Sequence, residues 1–454
     1  MLGKVILPLA ALALGMCLFP AHLFAQQQLK FSYGLYERVR HEYWNNNIDM
    51  SNQNETLSTR GGDRNFFRFK TSVWGQADYT DTYTLYAKLT NEIKSYLYLG
   101  RSRDKGARAD WDEVVFDNLF IDAKKPAELP VSFRLGRQDL LNQYGENFLI
   151  ADGTPVDGSR TFYFNALKAS WTVDDKNNLD LVYINDPRTD IWLPVINRNR
   201  NTFQTPTAVE YSDAAAFIVD LKNKSVENLL LEPYYIYKHE GGVGPGGGLM
   251  TFPGEINTVG GFAKYAIAPW TLHFQLADQF GTYGDNDRQA LGGYAFIDRE
   301  FKQTVFSPVW TVGYVYLSGD DKNTARNEGW DPLFCRYPIW SEIYAQEFTG
   351  ESGNSYWTNL SMYRTQVLLT LTKQAKFALI YSYLRANELP TANAAASISG
   401  TGKNRGSLYQ AKLDYMFNKN FNSYILAEYF KPDNFYTNDP DPAIFTRVQL
   451  EIKF

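Results

Sequence analysis

The sequence predicts an all-β protein: a transmembrane antiparallel β-barrel of about 18 strands, with short periplasmic turns and long extracellular loops. Segments that alternate apolar and polar residues recur from Leu29 to Phe454, the connections between them alternate between short and long, and the last segment ends in an aromatic residue. Aromatic residues make up 16% of the chain, yet mean hydropathy is only -0.37. A barrel with a polar lumen and aromatic girdles combines these two values.

The first 25 residues are predicted to be a removable signal peptide. Lys4 supplies the positive start, residues 5–19 form an apolar run that is too short to span a bilayer as a stable helix, and Ala25 suits the last position before cleavage. No later stretch is apolar enough to predict a transmembrane helix. We therefore expect residues 1–25 to be removed and residues 26–454 to form a single outer-membrane β-barrel domain.

The segments alternate with a period of two, which is typical of strands with one wet face. In the first of them Leu29, Phe31 and Leu35 share one face, while Arg38 and Arg40 share the other. At roughly 10 to 17 residues most are longer than the usual soluble strand. Candidate strands lie at roughly 29–43, 65–79, 82–99, 113–123, 130–138, 161–173, 177–185, 210–222, 227–239, 256–268, 269–282, 289–300, 307–318, 356–373, 375–386, 405–417, 420–432 and 443–454.

The connections between these candidate strands alternate in length. After even-numbered strands most are tight turns, such as those at 174–178, 222–224, 373–375 and 418–420. After odd-numbered strands most are long, at 44–64, 100–112, 139–160, 186–209, 240–255, 319–355 and 387–404. Outer-membrane barrels have short turns at one rim and long loops at the other, and a soluble sandwich has no reason to follow this alternation.

The last strand is amphipathic and ends in Phe454. This is the pattern that bacterial outer-membrane proteins present to their assembly machinery, so we expect that machinery and outer-membrane lipid as partners. In lipid a sheet has to close, because an open edge would leave backbone groups without hydrogen bonds. About 18 strands also leave a lumen wide enough for water. The predicted location is the bacterial outer membrane.

Composition and motifs argue against several function classes. Only His41, His239 and His273 remain after signal removal, and no HExxH, GxSxG or phosphate-binding glycine loop occurs. Cys335 is then the lone cysteine, which excludes an internal disulfide, and the net charge of -5 argues against nucleic acid. We expect no cofactor, metal site or enzyme activity. The acidic stretch around Asp320 lacks EF-hand spacing, so a solvated loop is favoured over a calcium site.

The predicted lumen face carries more cations than carboxylates. Its cations are Arg38, Arg40, Arg68, Lys70, Lys88, Arg134, Lys168, Arg364, Lys412 and Arg447, and its carboxylates are Glu42, Asp78, Glu92 and Asp414. Arginine suits bidentate binding of carboxylates, and cations in a narrow lumen concentrate anions. Charge reversal of Arg68 or Arg134 should then lower anion preference. A polar lumen whose charges merely neutralise one another is the alternative.

Several sequence blocks resemble the alginate export family. They are residues 133–141 (FRLGRQDLL), 151–162 (ADGTPVDGSRTF), 316–324, 327–334 and 340–342. The resemblance implies a monomeric 18-stranded barrel with an arginine-lined constriction that passes a polyuronate outward. By motif, Arg134 or Arg137 and Arg160 would line the constriction, and Arg68 fits by position only. Strict alternation places Arg134 in the lumen and Arg137 outside it, unless Gly136 marks a bulge.

These observations predict a passive pore for anionic solutes, such as anionic polysaccharide or oligosaccharide, through an arginine-lined constriction. By length, residues 319–355 are the best candidate for a lid. The alternatives are a non-selective general porin and a barrel whose long loops serve binding or adhesion. An outer-membrane hydrolase using His41 at the rim is a weaker alternative. The sequence identifies no periplasmic export partner.

Overall fold

The computed structural model describes residues 29–47, 50, 64–97, 108–111, 113–153, 159–160, 162–196, 203–204, 212–242, 253–347, 356–390, 398–437 and 439–454. The predicted signal peptide, 1–25, lies outside these residues. In the described part, no helix is both long and apolar enough to cross a membrane.

Eighteen long antiparallel strands form one closed barrel, which confirms the predicted fold class. They are β1 (Leu29–Asn45), β2 (Arg64–Tyr79), β3 (Tyr83–Tyr96), β4 (Val114–Ala123), β5 (Val131–Asp139), β6 (Tyr163–Thr172), β7 (Asn177–Asp186), β8 (Ala214–Asn223), β9 (Leu229–Glu240), β10 (Gly254–Ile267), β11 (Trp270–Tyr283), β12 (Asn286–Glu300), β13 (Val309–Leu317), β14 (Leu360–Thr370), β15 (Ala375–Arg385), β16 (Asn404–Asn418), β17 (Phe421–Pro432) and β18 (Ala443–Lys453). Three short strands pair near the long-loop ends of the wall. Arg108–Trp111 pairs with β3, Val195–Ile196 pairs with β4, and Phe203–Gln204 pairs with Val195–Ile196.

The barrel closes where β18 pairs with β1, with Tyr36 opposite Lys453 and Asn45 opposite Ile444. The last residue takes part, because the backbone N–H of Leu35 donates to the carbonyl of Phe454 at 3.0 Å and the N–H of Phe454 donates back at 2.9 Å. Closure therefore satisfies the backbone of both terminal strands, as a membrane-spanning sheet requires.

The two rims differ in the length of their connections, as the sequence predicted. At one rim the turns are short, for example 80–82, 173–176 and 419–420, and at the other rim the connections include 187–213, 318–359 and 386–403. Only two residues, 284–285, join β11 to β12 on the long-loop rim, which is an exception to the alternation. Gly284 adopts φ 60° there, a conformation that glycine enters without steric cost. In outer-membrane barrels the short-turn rim faces the periplasm.

The outer surface of the wall is apolar, as contact with lipid requires. Phe31 and Tyr33 are 72% and 85% exposed, and outward side chains of other strands are exposed as well, among them Leu85, Ile121, Phe274, Leu276, Val312, Leu379, Ile425 and Val448. Exposed aromatic side chains near the short-turn rim include Trp171, Trp270, Trp310 and Phe417. Such rings match the interfacial girdle of a transmembrane barrel.

Two segments from the long-loop rim fold into the lumen. Segment 140–153 follows β5 and contains the 3-10 turn Gly145–Asn147, and segment 330–347 follows β13 and contains the helix α1 (Glu342–Glu347). They meet where Ile150 bridges to Phe334, and the ring of Phe148 stacks on Trp330 at 5.5 Å. Apolar lumen-facing side chains of β7, β8 and β9 (Val182, Ile184, Ile218 and Ile236) are buried. The hydrophobic core therefore lies inside the barrel, in the long-loop half.

Candidate functional site

The lumen face of β1, β2, β3 and β18 carries a cluster of cations, here called the basic wall: Arg38, Arg40, Arg68, Lys70, Lys88, Lys94 and Arg447. Strand register places Arg40 opposite Arg68, and Arg68 opposite Lys94. Three cations therefore lie side by side in one row across three strands. The neighbouring row contains Arg38, Lys70 and Glu92, also directly opposite one another in register.

Two buried carboxylates bind most of the basic wall. Glu92 binds Arg38 Nη2 at 3.1 Å and Arg68 Nη2 at 2.8 Å, and Lys94 Nζ lies 3.9 Å from it. Glu42 binds Arg447 Nη2 at 2.8 Å and lies 3.8 Å from both Arg40 and Arg68. Both glutamate side chains are 0% exposed. Arg68 thus lies between two carboxylates, and each carboxylate is shared by three cations.

Among the described residues, cations outnumber carboxylates in this group of ion pairs. Five cations (Arg38, Arg40, Arg68, Lys94 and Arg447) contact three carboxylates (Glu42, Glu92 and Glu342). Most of these cations are buried, whereas the side chains of Arg40 and Lys94 are each 17% exposed. Among these five cations, Arg40 and Lys94 therefore have the largest exposed fractions.

Lys88 is the member of the basic wall that lies in the short-turn half of β3. Its Nζ lies 2.8 Å from Asp117 Oδ2 and 3.6 Å from Asp139 Oδ2, and its side chain is 20% exposed. An irregularity in the pairing of β3 with β4 turns Asp117 toward it, because Lys88 is opposite Asn118 while Leu89 is opposite Phe116. Sequence alternation alone did not predict this extra carboxylate.

Segment 330–347 reaches the basic wall through α1 and the residue before it. Glu342 of α1 binds Arg447, and the preceding Ser341 donates to Glu428 at 2.6 Å. Arg364 lies farther round the barrel, where it donates to the carbonyl of Trp340 at 3.4 Å and to Gln410 at 3.1 Å. The structure therefore places Arg364 in contact with segment 330–347 and apart from the basic wall.

Arg137 and Arg160 lie together around one carboxylate of the loop after β7. Asp190 accepts from Arg137 Nη2 at 2.8 Å and from Arg160 Nη1 at 2.8 Å, and both arginine side chains are 1% exposed. Burial alone would raise the pKa of Asp190, but the two guanidinium groups hold that pKa below its usual range. Val195–Ile196 pairs with Val114–Val115, so these contacts tie the loop into the wall.

The register at Gly136 resolves the question of a bulge. Pairing runs without interruption through this residue on both sides of β5, although its φ is 127°. Arg137 therefore lies on the same outward face of β5 as the exposed Leu135, as strict alternation predicted. The loop that carries Asp190 covers Arg137 and buries it. Arg134, on the lumen parity, lies in the short-turn half and binds Asp122 with Nε at 2.6 Å and Nη2 at 2.7 Å.

Glu146, which sequence reasoning did not single out, attaches segment 140–153 to the opposite wall. Its carboxylate accepts from His273 Nδ1 at 2.8 Å, from Lys264 Nζ at 3.3 Å and from the Tyr294 hydroxyl at 3.2 Å. His273 also contacts Asp298 at 3.0 Å through its other ring nitrogen. Burial alone would raise the pKa of Glu146, but the contacts with His273 and Lys264 lower it below its usual range.

This lowered pKa predicts how the segment responds to acid. A carboxylate whose pKa is depressed in the docked state stabilises docking above its free pKa of about 4.3, and that stabilisation is lost as pH falls through the docked value. Single-channel conductance should therefore stay constant from pH 7 to pH 5 and rise below about pH 4. In a Glu146→Gln variant the same titration should be much flatter. Conductance that falls on acidification would contradict this role for Glu146.

The acidic stretch near Asp320 forms a turn whose side chains hydrogen-bond to other residues of the same turn. Asp321 Oδ1 accepts from the backbone N–H of Asn323 at 2.9 Å, and Thr324 donates to Glu328 at 2.6 Å. Across the described ranges, no group of three or more His, Cys, Asp or Glu side chains could hold a metal ion. His41 Nε2 donates to Asn65 Oδ1 at 2.6 Å on the outward face.

The sequence therefore predicted which cations face the lumen but not which of them lie together. Six of the ten predicted site residues form the basic wall, and the remaining four are divided among three other places: Arg134 at Asp122, Arg137 and Arg160 at Asp190, and Arg364 at Trp340. Lys94 and Glu342 were missed. Lys94 is separated from Lys88 and Glu92 by an even number of residue positions, so the alternation in the sequence already placed it on the lumen face.

A family model described as alginate export matches residues 45–448. No curated protein matches the chain. Among solved structures, the chain is similar in fold to Pseudomonas aeruginosa OpdK with vanillate, at 11% identity and a TM-score of 0.55, covering 93% of this chain and 98% of that chain. It is likewise similar to P. aeruginosa OccK2 (OpdF) in complex with glucuronate, at 12% identity and a TM-score of 0.54 (94% and 98% covered), and to Acinetobacter baumannii OccAB4, at 12% and 0.54 (94% and 99% covered).

Proposed function

The chain belongs to the alginate export family, and from this premise we propose that it is a passive pore for anionic solutes, in particular anionic oligosaccharides or polysaccharides. It is a β-barrel pore of the bacterial outer membrane, surrounded by lipid and carrying a transported solute. Its family and fold are those of channel proteins rather than of enzymes. The solute class and the role of the basic wall are the proposed part.

The observation that supports anion passage is the row of cations on the basic wall. Arg40, Arg68 and Lys94 lie directly opposite one another on β1, β2 and β3, and Lys94 is in register with Asp110 of the short strand on its other side. The contacts of the two inserted segments described above go to strands from β6 to β18, whereas Arg40 and Lys94 lie on β1 and β3 and are each 17% exposed. Cations beside a water-filled path raise the local concentration of anions.

We assign different roles to the remaining predicted arginines. Arg137, Arg160 and Arg364 hold the loop with Asp190 and segment 330–347 in place, so they shape the path rather than line it. Segment 330–347, part of the candidate lid at 319–355, narrows the path from the long-loop side; residues 348–355 lie outside the described residues. We further propose that residues 1–25 are a signal peptide preceding a single domain, 26–454, and that β18 with Phe454 is recognised by the assembly machinery.

The selectivity test is the reversal potential of single channels in a planar bilayer under a KCl gradient. The wild type should prefer chloride. Removing one exposed charge about 7 Å from a passing ion costs about 0.6 kcal/mol in water, or roughly threefold in anion preference, so Arg40→Gln/Lys94→Gln should lower that preference by nearly tenfold. Lys224→Gln is the matched control, because Lys224 lies in the short turn between β8 and β9 and is not part of the basic wall.

Each other outcome favours a different function. A conducting wild type with no ion preference would make the protein a non-selective general porin. A folded barrel without conductance would favour a binding or adhesion role for the long loops. Glucuronate, present in the OccK2 structure, is a suitable test anion because it is a single uronate unit. Block of chloride current by glucuronate but not by glucose would support a saccharide-acid substrate.

A further inference from the structure

A cavity of about 370 Å³ opens in the short-turn half of the lumen, apart from the basic wall. Its lining residues are Asp122, Lys124, Ser132, Phe133, Arg134, Gln143, Lys168 and Ser170. They come from the end of β4, the start of β5, the end of β6 and segment 140–153, which contributes Gln143. None of them belongs to the basic wall. We call this the turn-side cavity.

Arg134 is held rigidly at this cavity. Asp122 accepts from its Nε and Nη2, and the guanidinium carbon lies 3.9 Å above the centroid of the Phe120 ring. That ring is the end of a stack across the lumen face, with Tyr86 at 5.0 Å from Phe120 and Trp74 at 5.9 Å from Tyr86. Within the described chain Nη1 meets no hydrogen-bond acceptor, and the side chain remains 34% exposed. A guanidinium fixed in this way loses little entropy when it binds an anion.

Two lysines add positive charge around Arg134. Lys168 lies opposite Arg134 in register and is held by Asp180 at 2.9 Å and by Gln143 Oε1 at 2.8 Å. Lys124 follows β4 directly, is exposed and forms no ion pair with any residue that the structure describes. Asp122 neutralises Arg134 and Asp180 neutralises Lys168, so Lys124 supplies the cation of this cavity that has no carboxylate within ion-pair distance among the described residues.

The other polar groups of the cavity suit hydroxyl groups. Ser132, Ser170 and Gln143 offer small donors and acceptors beside the three cations. A volume of about 370 Å³ lies in the range of small-ligand pockets. Cations together with hydroxyls and an amide match a compact ligand that bears one carboxylate and several hydroxyl groups.

We propose that the turn-side cavity binds one sugar-acid unit, with its carboxylate at Arg134 and Lys124 and its hydroxyl groups at Ser132, Ser170 and Gln143. This inference rests on the proposed function and adds the place of first binding. Since short turns face the periplasm in outer-membrane barrels, the ligand would enter the pore from the periplasmic side. The basic wall would then act later on the path.

The test is block of single-channel current by glucuronate added to one side of the bilayer at a time. Orientation is read from streptavidin binding to a biotin on Asp175→Cys in the turn 173–176, because Cys335 is buried. Block should be stronger from the short-turn side. Lys124→Gln should raise the half-blocking concentration about threefold, and Asp122→Asn/Arg134→Gln, which removes both partners of the pair, about tenfold or more. Asp122→Asn alone should lower it, since the guanidinium loses its internal competitor.

Lys224→Gln is the matched control, because Lys224 lies in another short turn and does not line the cavity. Sided block that shifts with the cavity variants and not with Lys224→Gln supports the proposal. Block that is equal from both sides, or that is unchanged in the cavity variants, overturns it while an anionic reversal potential leaves the proposed function standing. A wild type without anion preference overturns the proposed function itself, and sided block in such a channel would still support the cavity.

Discussion

Replacing Glu146 with glutamine should produce channels that step repeatedly to a higher conductance level. Glu146 is the charged contact between segment 140–153 and the wall formed by β10, β11 and β12, where it binds Lys264, His273 and Tyr294. Hydrogen bonds to charged groups contribute about 1.5–3 kcal/mol each. Because Glu146 and Lys264 are 38% and 43% exposed, water screens part of this contribution. Losing the charge on Glu146 should therefore weaken docking by about 2 kcal/mol, roughly a thirtyfold change in the docking equilibrium.

Backbone strain in the same segment increases this effect. Asn142, Glu146 and Asn147 have positive φ values of 61°, 53° and 67°, and Gly145 has 42°. Non-glycine residues in that conformation cost of order 1 kcal/mol or more each, and persist only where the surrounding contacts impose it. The strain is released when the segment leaves the lumen, so docking depends on the contacts of Glu146 together with those of Tyr144 and Gly145.

Glu300→Gln is the control for this experiment, because it removes the same charge at the short-turn end of β12. The Glu300 side chain is 42% exposed there and lies 3.3 Å from Lys302 Nζ. The barrel pairing should be intact in both variants, so both should show the heat-dependent gel migration of a folded barrel. Unchanged conductance in Glu146→Gln would mean that segment 140–153 does not limit the pore or that Tyr144 and Gly145 suffice to hold it.

The strands could be predicted from the sequence because lipid and water impose a strict period of two on a barrel wall. The contacts of the inserted segments could not be predicted, because a lumen loop has no periodicity, and only the length of 319–355 marked it as a candidate lid. One signal for them was nevertheless present: Val182, Ile184 and Ile218 are apolar on the lumen parity, where a water-filled barrel would have polar residues. Such apolar side chains on the lumen face indicate that something covers them.

The ion pairs could not be predicted from the alternation of residues along each strand, for a different reason. Parity places Glu42, Glu92 and Arg68 on one face, but which cations share which carboxylate depends on the register between strands distant in sequence. Arg447 and Glu42 pair only because β18 closes onto β1. Asp190 lies in a long loop, and no pattern in the sequence connects it with Arg137.

Replacing Asp331 with asparagine should release segment 330–347 and raise conductance. Asp331 is 2% exposed and accepts from Arg288 Nη1 at 3.1 Å, from the Tyr356 hydroxyl at 2.6 Å and from the backbone N–H of Leu333 at 2.7 Å. Burial alone would raise its pKa, but the charges of Lys238 and Arg288 lower that pKa below its usual range, so the carboxylate is charged at neutral pH.

The expected size of this effect follows from the charges that would remain. Arg288 is also 2% exposed, and removing one partner of a buried ion pair costs about 3–5 kcal/mol because the other charge stays uncompensated. The cost falls on docking of the segment, since the paired strands of the wall satisfy their own backbone. Limited proteolysis should therefore cut 330–347 faster in Asp331→Asn, and single channels should conduct more. The double variant Arg288→Gln/Asp331→Asn should recover part of the protection, because it removes both charges. Faster proteolysis without a change in conductance would show that the segment covers the lumen without narrowing the ion path, and the path would then be limited at the basic wall alone.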